Sequence, residues 1–137
     1  MKELTFSIIK PDSITRSGEI LALIQKNNFK IVAQRMILIT KNQAENFYGI
    51  HKDRPFFNDL VNFMISGPVI IMTLEKENAV HDLRNLMGAT NPSDAKEGTI
   101  RKLFGANIEK NAIHGSDSKE NAQIEISFFF SKSELFI

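Results

Sequence analysis

The chain has 137 residues, a net charge of +1 and no cysteine. That length fits one domain with its own core, taken here as residues 1–137. The missing cysteines exclude disulfides and thiolate metal sites, and the near-neutral charge gives no field that would gather nucleic acid or an anionic membrane.

The start, MKELTFSIIKPD, mixes acid and lysine into its apolar stretch and makes a poor secretory signal. Residues 4–9 turn from alternation to a fully apolar run, which predicts a strand. Pro11 follows and suits a short helical turn. Ile20, Leu21, Leu23 and Ile24 sit at helical spacing in residues 18–27, before an Asn-Asn stop. Residues 29–39 alternate with a phase shift, so a strand with a bend or bulge is expected. Thr40 and Gln43 form a capping box for the next helix. Pro55 is read as the start of a further helix, striped by Phe57, Leu60, Val61 and Met64 and broken at Gly67-Pro68. Residues 69–74 are continuously apolar, as in a central strand. Asn78 is placed as the cap of a helix with Leu83 and Met87 inward and Gly88 as its stop.

Regularity weakens from 89 to 111, with room for short turns ending at Gly98 and Gly105; so long a connection is often functional. Residues 112–114 suggest a brief strand, and Asp117 with Glu120 a capping-box-like start for a last helix reaching Phe130. No run approaches the roughly 20 apolar residues that span a bilayer. The order βαβ-αα-βα-loop-βα predicts an α+β, ferredoxin-like split βαβ sandwich: a four-stranded antiparallel sheet with helices on one face.

Glycine cradles for phosphate and the H-E-x-x-H metal motif are absent, so any phosphate chemistry falls to side chains. The candidates are Lys10, Arg84, Arg101 and His114, one of three histidines. Lys10 ends an apolar strand, where a lysine ordinarily snorkels to water. Arg84 near a helix end is satisfied by the dipole, whereas Arg101 in a first turn asks for another partner. Glu125 shares a helix side with Ala122 and Phe129, the side expected to face the core. A carboxylate there needs a partner, and Ser116 and His114 just before the helix are the nearest. His81 reads as solvated, and His51 as structural or supporting.

The stretch NAIHGSDS (111–118) resembles the active-site signature of nucleoside diphosphate kinases. So do FSIIKPD (6–12), GEI (18–20), residues 48–57 with Tyr48, His51, Arg54, Pro55 and two phenylalanines, SGPV (66–69), MGATNP (87–92) and GTIR (98–101), in that family's order. The likeness covers essentially the whole chain.

It implies a ping-pong transfer of the γ-phosphoryl from a nucleoside triphosphate to a diphosphate through a phosphohistidine on His114, formed at Nδ1. Lys10, Tyr48, Arg84, Thr90, Arg101 and Asn111 would surround phosphates and ribose, Phe56 and Ile108 would clamp the base, and Ser116 and Glu125 would support the histidine. Mg²⁺ is implied on the nucleotide phosphates, with no protein ligand assigned. The residue types fit: positioning and charge neutralisation dominate phosphoryl transfer, and an apolar slot without base-edge donors accepts purines and pyrimidines alike. Ile108 departs from the valine or leucine expected there. The short tail 131–137 is similar to that of shorter bacterial members. The resemblance implies a dimer-based homo-oligomer, a hexamer favoured over a tetramer, in the cytoplasm. Two other readings stand beside it. One is an RNA-binding relative on the same fold, against which the strand motif of aromatic residues is missing. The other is a catalytically silent scaffold, against which the histidine and its phosphate ligands are all present.

Overall fold

The computed structural model describes residues 2–136; Met1, in the stretch weighed as a signal, and Ile137, in the tail, lie outside them. The strands are β1 (Lys2–Ile9), β2 (Lys30–Ile37), β3 (Val69–Glu77) and β4 (Ile113–Gly115). They form one antiparallel sheet in the order β2-β3-β1-β4, so the apolar runs of β1 and β3 are the central strands. The helices are α1 (Ser17–Lys26), α2 (Lys41–Phe47), α3 (Phe57–Met64), α4 (Ala79–Met87), α5 (Ile100–Phe104) and α6 (Lys119–Phe129).

Helices cover both faces of this sheet, not one. Phe6, Ile8, Val69 and Ile71 join a core with Ala44, Val61, Met64, Ile126 and Phe129 from α2, α3 and α6. Their strand neighbours Ile9, Ile70, Met72 and Leu74 join a second core with Ile20, Ile24, Leu83 and Met87 from α1 and α4. Successive strand residues point to opposite sides. The apolar, non-alternating runs in β1 and β3 therefore require cover on each.

Local signals settle the ends of the helices. Thr40 and Gln43 close a reciprocal capping box at α2. The cap of α6 is Ser118, whose hydroxyl accepts from Asn121 N at 3.1 Å; Asp117 instead accepts from the Asn121 side chain. Asn78 occupies the capping position of α4 in a left-handed conformation, but its side chain reaches Asp82 and leaves the helix amides alone. Pro55 precedes α3 by two residues and lies in the turn before it. The pairing of β2 shifts between Ile31 and Ala33, and the Val32 carbonyl accepts from Phe136 N at 2.9 Å, so the bulge gives the tail its anchor. Arg35 holds the same tail through Glu134 at 3.1 Å.

The connection from α4 to β4 carries a 3₁₀ turn at Pro92–Asp94 and α5, which is capped by the Thr99 hydroxyl. It starts at Gly88, with φ of +87°, where an added Cβ would stand 2.6 Å from Thr99 Oγ1. At Gly115 a Cβ would meet the Met87 sulfur at 2.4 Å, so its absence lets α4 close on β4. Gly88→Ala is expected to lower unfolding free energy by roughly 3 kcal/mol, through strain and overlap together. Urea unfolding measures this, and an unchanged midpoint would contradict the packing described.

Candidate active site

Strand β4 presents His114 opposite Ile8 of β1, on the face covered by α2 and α6. Aromatic rings wall the imidazole: Phe47 lies 5.6 Å away between centroids, Phe6 6.2 Å and Tyr48 6.4 Å. His114 Nε2 is 2.8 Å from Glu125 Oε1, and Ser116 Oγ donates to the same oxygen at 2.7 Å. The Ala122, Glu125, Phe129 side of α6 does face inward, so this carboxylate is half-buried and shared. A neutral imidazole that donates from Nε2 keeps its lone pair on Nδ1. Nδ1 makes no hydrogen bond among the described residues. Tyr48 is buried and its hydroxyl likewise lacks a partner there. Burial, and then the Glu125 charge, push its phenol well up, so it stays a donor.

The cations reach this cleft by different routes. Lys10, at the end of β1, is buried rather than snorkelling, and Nζ donates to Asn111 Oδ1 at 2.8 Å. Asn111 in turn donates to the Thr90 carbonyl at 3.0 Å, tying the long connection to β1. The partners that Arg101 needed are carbonyls: Nη1 donates to Gly88 O at 3.0 Å and Nη2 to Ile113 O at 2.9 Å. Exposed Arg84 donates to Gly115 O at 3.4 Å. Burial, with Arg101 nearby, lowers Lys10 to about 8. Burial, with Arg84 nearby, lowers Arg101 to about 10, which leaves it charged at neutral pH.

The cleft encloses about 420 Å³ and brings together every side chain singled out from the sequence except Ser116, which lies behind the histidine. Phe56 and Ile108 also line it, 48% and 61% exposed. His51, read above as structural or supporting, lines the cleft with its ring 5.5 Å from Phe56. Ile50 and Ile124 were not singled out at all and also line it; exposed apolar residues carry no periodic signal. A larger groove of about 890 Å³ sets Asp12, Asp59 and Glu109 against Lys110, the wrong charge balance for phosphate. Among the described residues no group of three or more His, Asp or Glu is placed to hold a metal ion.

The fold and this cleft define a ferredoxin-like α+β enzyme with a half-buried histidine set among cations, suited to phosphoryl groups. Comparison with known proteins narrows the class. The sequence profile described as nucleoside diphosphate kinase matches residues 3–135. A nucleoside diphosphate kinase of Chlamydia trachomatis serovar D is 56% identical over 97% of this chain and 96% of its own length. One of Rhizorhabdus wittichii is 58% identical with the same coverage. The crystal structure of the Aquifex aeolicus nucleoside diphosphate kinase superposes with a TM-score of 0.95 at 42% identity, covering 98% of this chain and 99% of that one. The Halobacterium salinarum nucleoside diphosphate kinase in complex with CDP gives 0.93 at 39% identity, covering 98% of this chain and 91% of that one. The chain belongs to the nucleoside diphosphate kinase family. Its activity is that of a phosphotransferase acting on nucleotides, and a kinase of this kind generally needs a divalent metal. No helix among the described residues is long and apolar enough to cross a membrane.

Lys10 is cationic below its pKa of about 8 and neutral above it. Nucleotide affinity is therefore expected to weaken as pH rises through about 8, and binding above that pH to take up a proton. Isothermal titration in buffers of different ionisation enthalpy reads both effects. Lys10→Met should abolish the uptake; a wild-type affinity independent of pH between about 7 and about 9 would count against it.

Proposed function

We propose that His114 carries the phosphoryl group covalently between a nucleoside triphosphate and a nucleoside diphosphate. The observation that supports this most is the hydrogen bond from Nε2 to Glu125, which directs the imidazole lone pair to Nδ1. In the first half-reaction Nδ1 bonds to the γ-phosphorus as the bond to the β,γ-bridging oxygen breaks, and the diphosphate leaves with that electron pair. In the second, a terminal oxygen of another diphosphate bonds to the same phosphorus and the N–P bond breaks. No proton moves. The phosphorylated ring carries Nε2–H as a cation beside Glu125, whose charge stabilises it.

Lys10, Arg84 and Arg101 neutralise the phosphate oxygens, Tyr48 and Thr90 supply hydroxyl donors, and Lys10 with Asn111 suits the ribose hydroxyls. Phe56 and Ile108 offer apolar contact and stacking without base-edge hydrogen bonds, which supports broad tolerance of bases and of ribose or deoxyribose. We read the divalent ion as Mg²⁺, which would ride on the nucleotide phosphates with water and would supply charge neutralisation there. Exposed Met36 in edge strand β2 and Leu38 just after it support self-association, read as a dimer-based hexamer with a tetramer as the alternative. We infer a role in maintaining nucleoside triphosphate pools from this activity, and place it in the cytoplasm.

Incubation with γ-labelled ATP tests the carrier. The wild-type chain is expected to take an acid-labile, alkali-stable label and His114→Ala none; label surviving on the variant would sink the mechanism. Glu125→Ala should slow turnover on the order of a hundredfold while changing nucleotide Kd by less than about threefold, because Glu125 touches the nucleophile. A large loss of affinity at unchanged kcat would exclude that role.

A further inference from the structure

Ala112 is fully buried and adopts φ of +77°, one of three non-glycine residues among those described with positive φ. Ile113 N donates to Asn111 O at 2.9 Å across it, so residues 111–113 form a left-handed γ-turn, a rare and strained three-residue turn. An alanine relaxes out of that region unless its flanking peptides are held. Both its polar groups are held, and from one segment. The carbonyl accepts from Lys10 N at 2.9 Å, which extends the pairing of β1 with β4. The N–H donates to Asp12 Oδ2 at 3.1 Å, a side-chain contact across 100 residues. Pro11 starts the 3₁₀ turn Pro11–Arg16 and so aims Asp12 back at the strand.

We propose that Asp12 is a positioning residue for phosphoryl transfer: it holds Ala112 in the γ-turn, which sets Asn111 and His114 on either side of it toward the cleft together. This rests on the reading of His114 as the carrier. The turn reverses the chain between the two groups. Asn111, on its near side, bonds Lys10 Nζ and the Thr90 carbonyl; His114, on its far side, bonds Glu125. Without the carboxylate, the buried Ala112 N–H loses its acceptor and the peptide rotates toward negative φ. Asn111 and His114 then no longer present their side chains to one nucleotide.

Asp12 also lies near Lys10, where its charge raises the lysine's pKa, so the test must separate hydrogen bond from charge. Single-turnover labelling of the full chain from γ-labelled ATP is measured below the Tm of each variant. Asp12→Ala should slow label formation by about tenfold to a hundredfold, with the same acid-labile product. Asp12→Asn, which keeps an acceptor and drops the charge, should stay within about threefold of wild type. Ala112→Gly placed in the Asp12→Ala chain should recover most of the loss, because glycine takes positive φ freely. The proposal is overturned if Asp12→Ala labels at the wild-type rate, if Asp12→Asn is as slow as Asp12→Ala, or if the glycine recovers nothing in a folded protein. Should Asp12→Ala fail to fold, the proposal is overturned if Asp12→Asn, or the double variant in a folded protein, labels more than about tenfold slower than wild type. Absence of label on the wild-type chain would overturn the histidine reading, and this proposal with it.

Discussion

Lys10, Arg84 and Arg101 converge on one small cleft although two of them are buried, and like charges in a poorly hydrated space repel. The depressed pKa of Lys10 and of Arg101 is that burial, and then that repulsion, made visible. What holds the group together is the main chain of the strand that bears the histidine. Arg101 donates to the Ile113 carbonyl, Arg84 to that of Gly115, and the backbone N–H of Lys10 to that of Ala112. Ser7 takes the remaining carbonyl, that of His114, at 2.8 Å. A strand of only three residues is thus fixed along its length by the groups that surround the histidine.

Around the imidazole the problem is the reverse: one carboxylate in a largely apolar wall. Glu125 is tolerated against the imidazole that Phe6 and Phe47 wall because one of its oxygens receives two donors. The same arrangement selects the histidine tautomer. Stability and chemistry are therefore not separable here, since the interaction that permits a half-buried acid is also the one that leaves Nδ1 unprotonated.

Much of this was legible in the sequence where a single physical signal was decisive. The apolar runs of β1 and β3, the capping box at Thr40 and the inward register of Glu125 each rest on local spacing. The helix cover on both faces was missed because a continuous apolar strand was read as central without asking what lies over each side. The cap of α6 went to Asp117 because either of two adjacent acceptors satisfies the pattern, and only geometry chooses Ser118. Ile50 and Ile124 escaped notice, and His51 was read only as structural or supporting, for a different reason: they are brought to the cleft by tertiary folding from segments whose local pattern is ordinary. Asp12 shows the same limit more sharply. Its partner lies 100 residues away and is a backbone amide, which no side-chain pattern announces.

The buried posture of Arg101 has a thermodynamic consequence. A free arginine side chain carries on the order of 2 kcal/mol of rotamer entropy, lost wherever it is immobilised. Here two carbonyls immobilise it when the protein folds. A ligand that meets this guanidinium does not have to order it again. The entropic penalty of assembling that part of the anion site belongs to the folding equilibrium and not to the binding one.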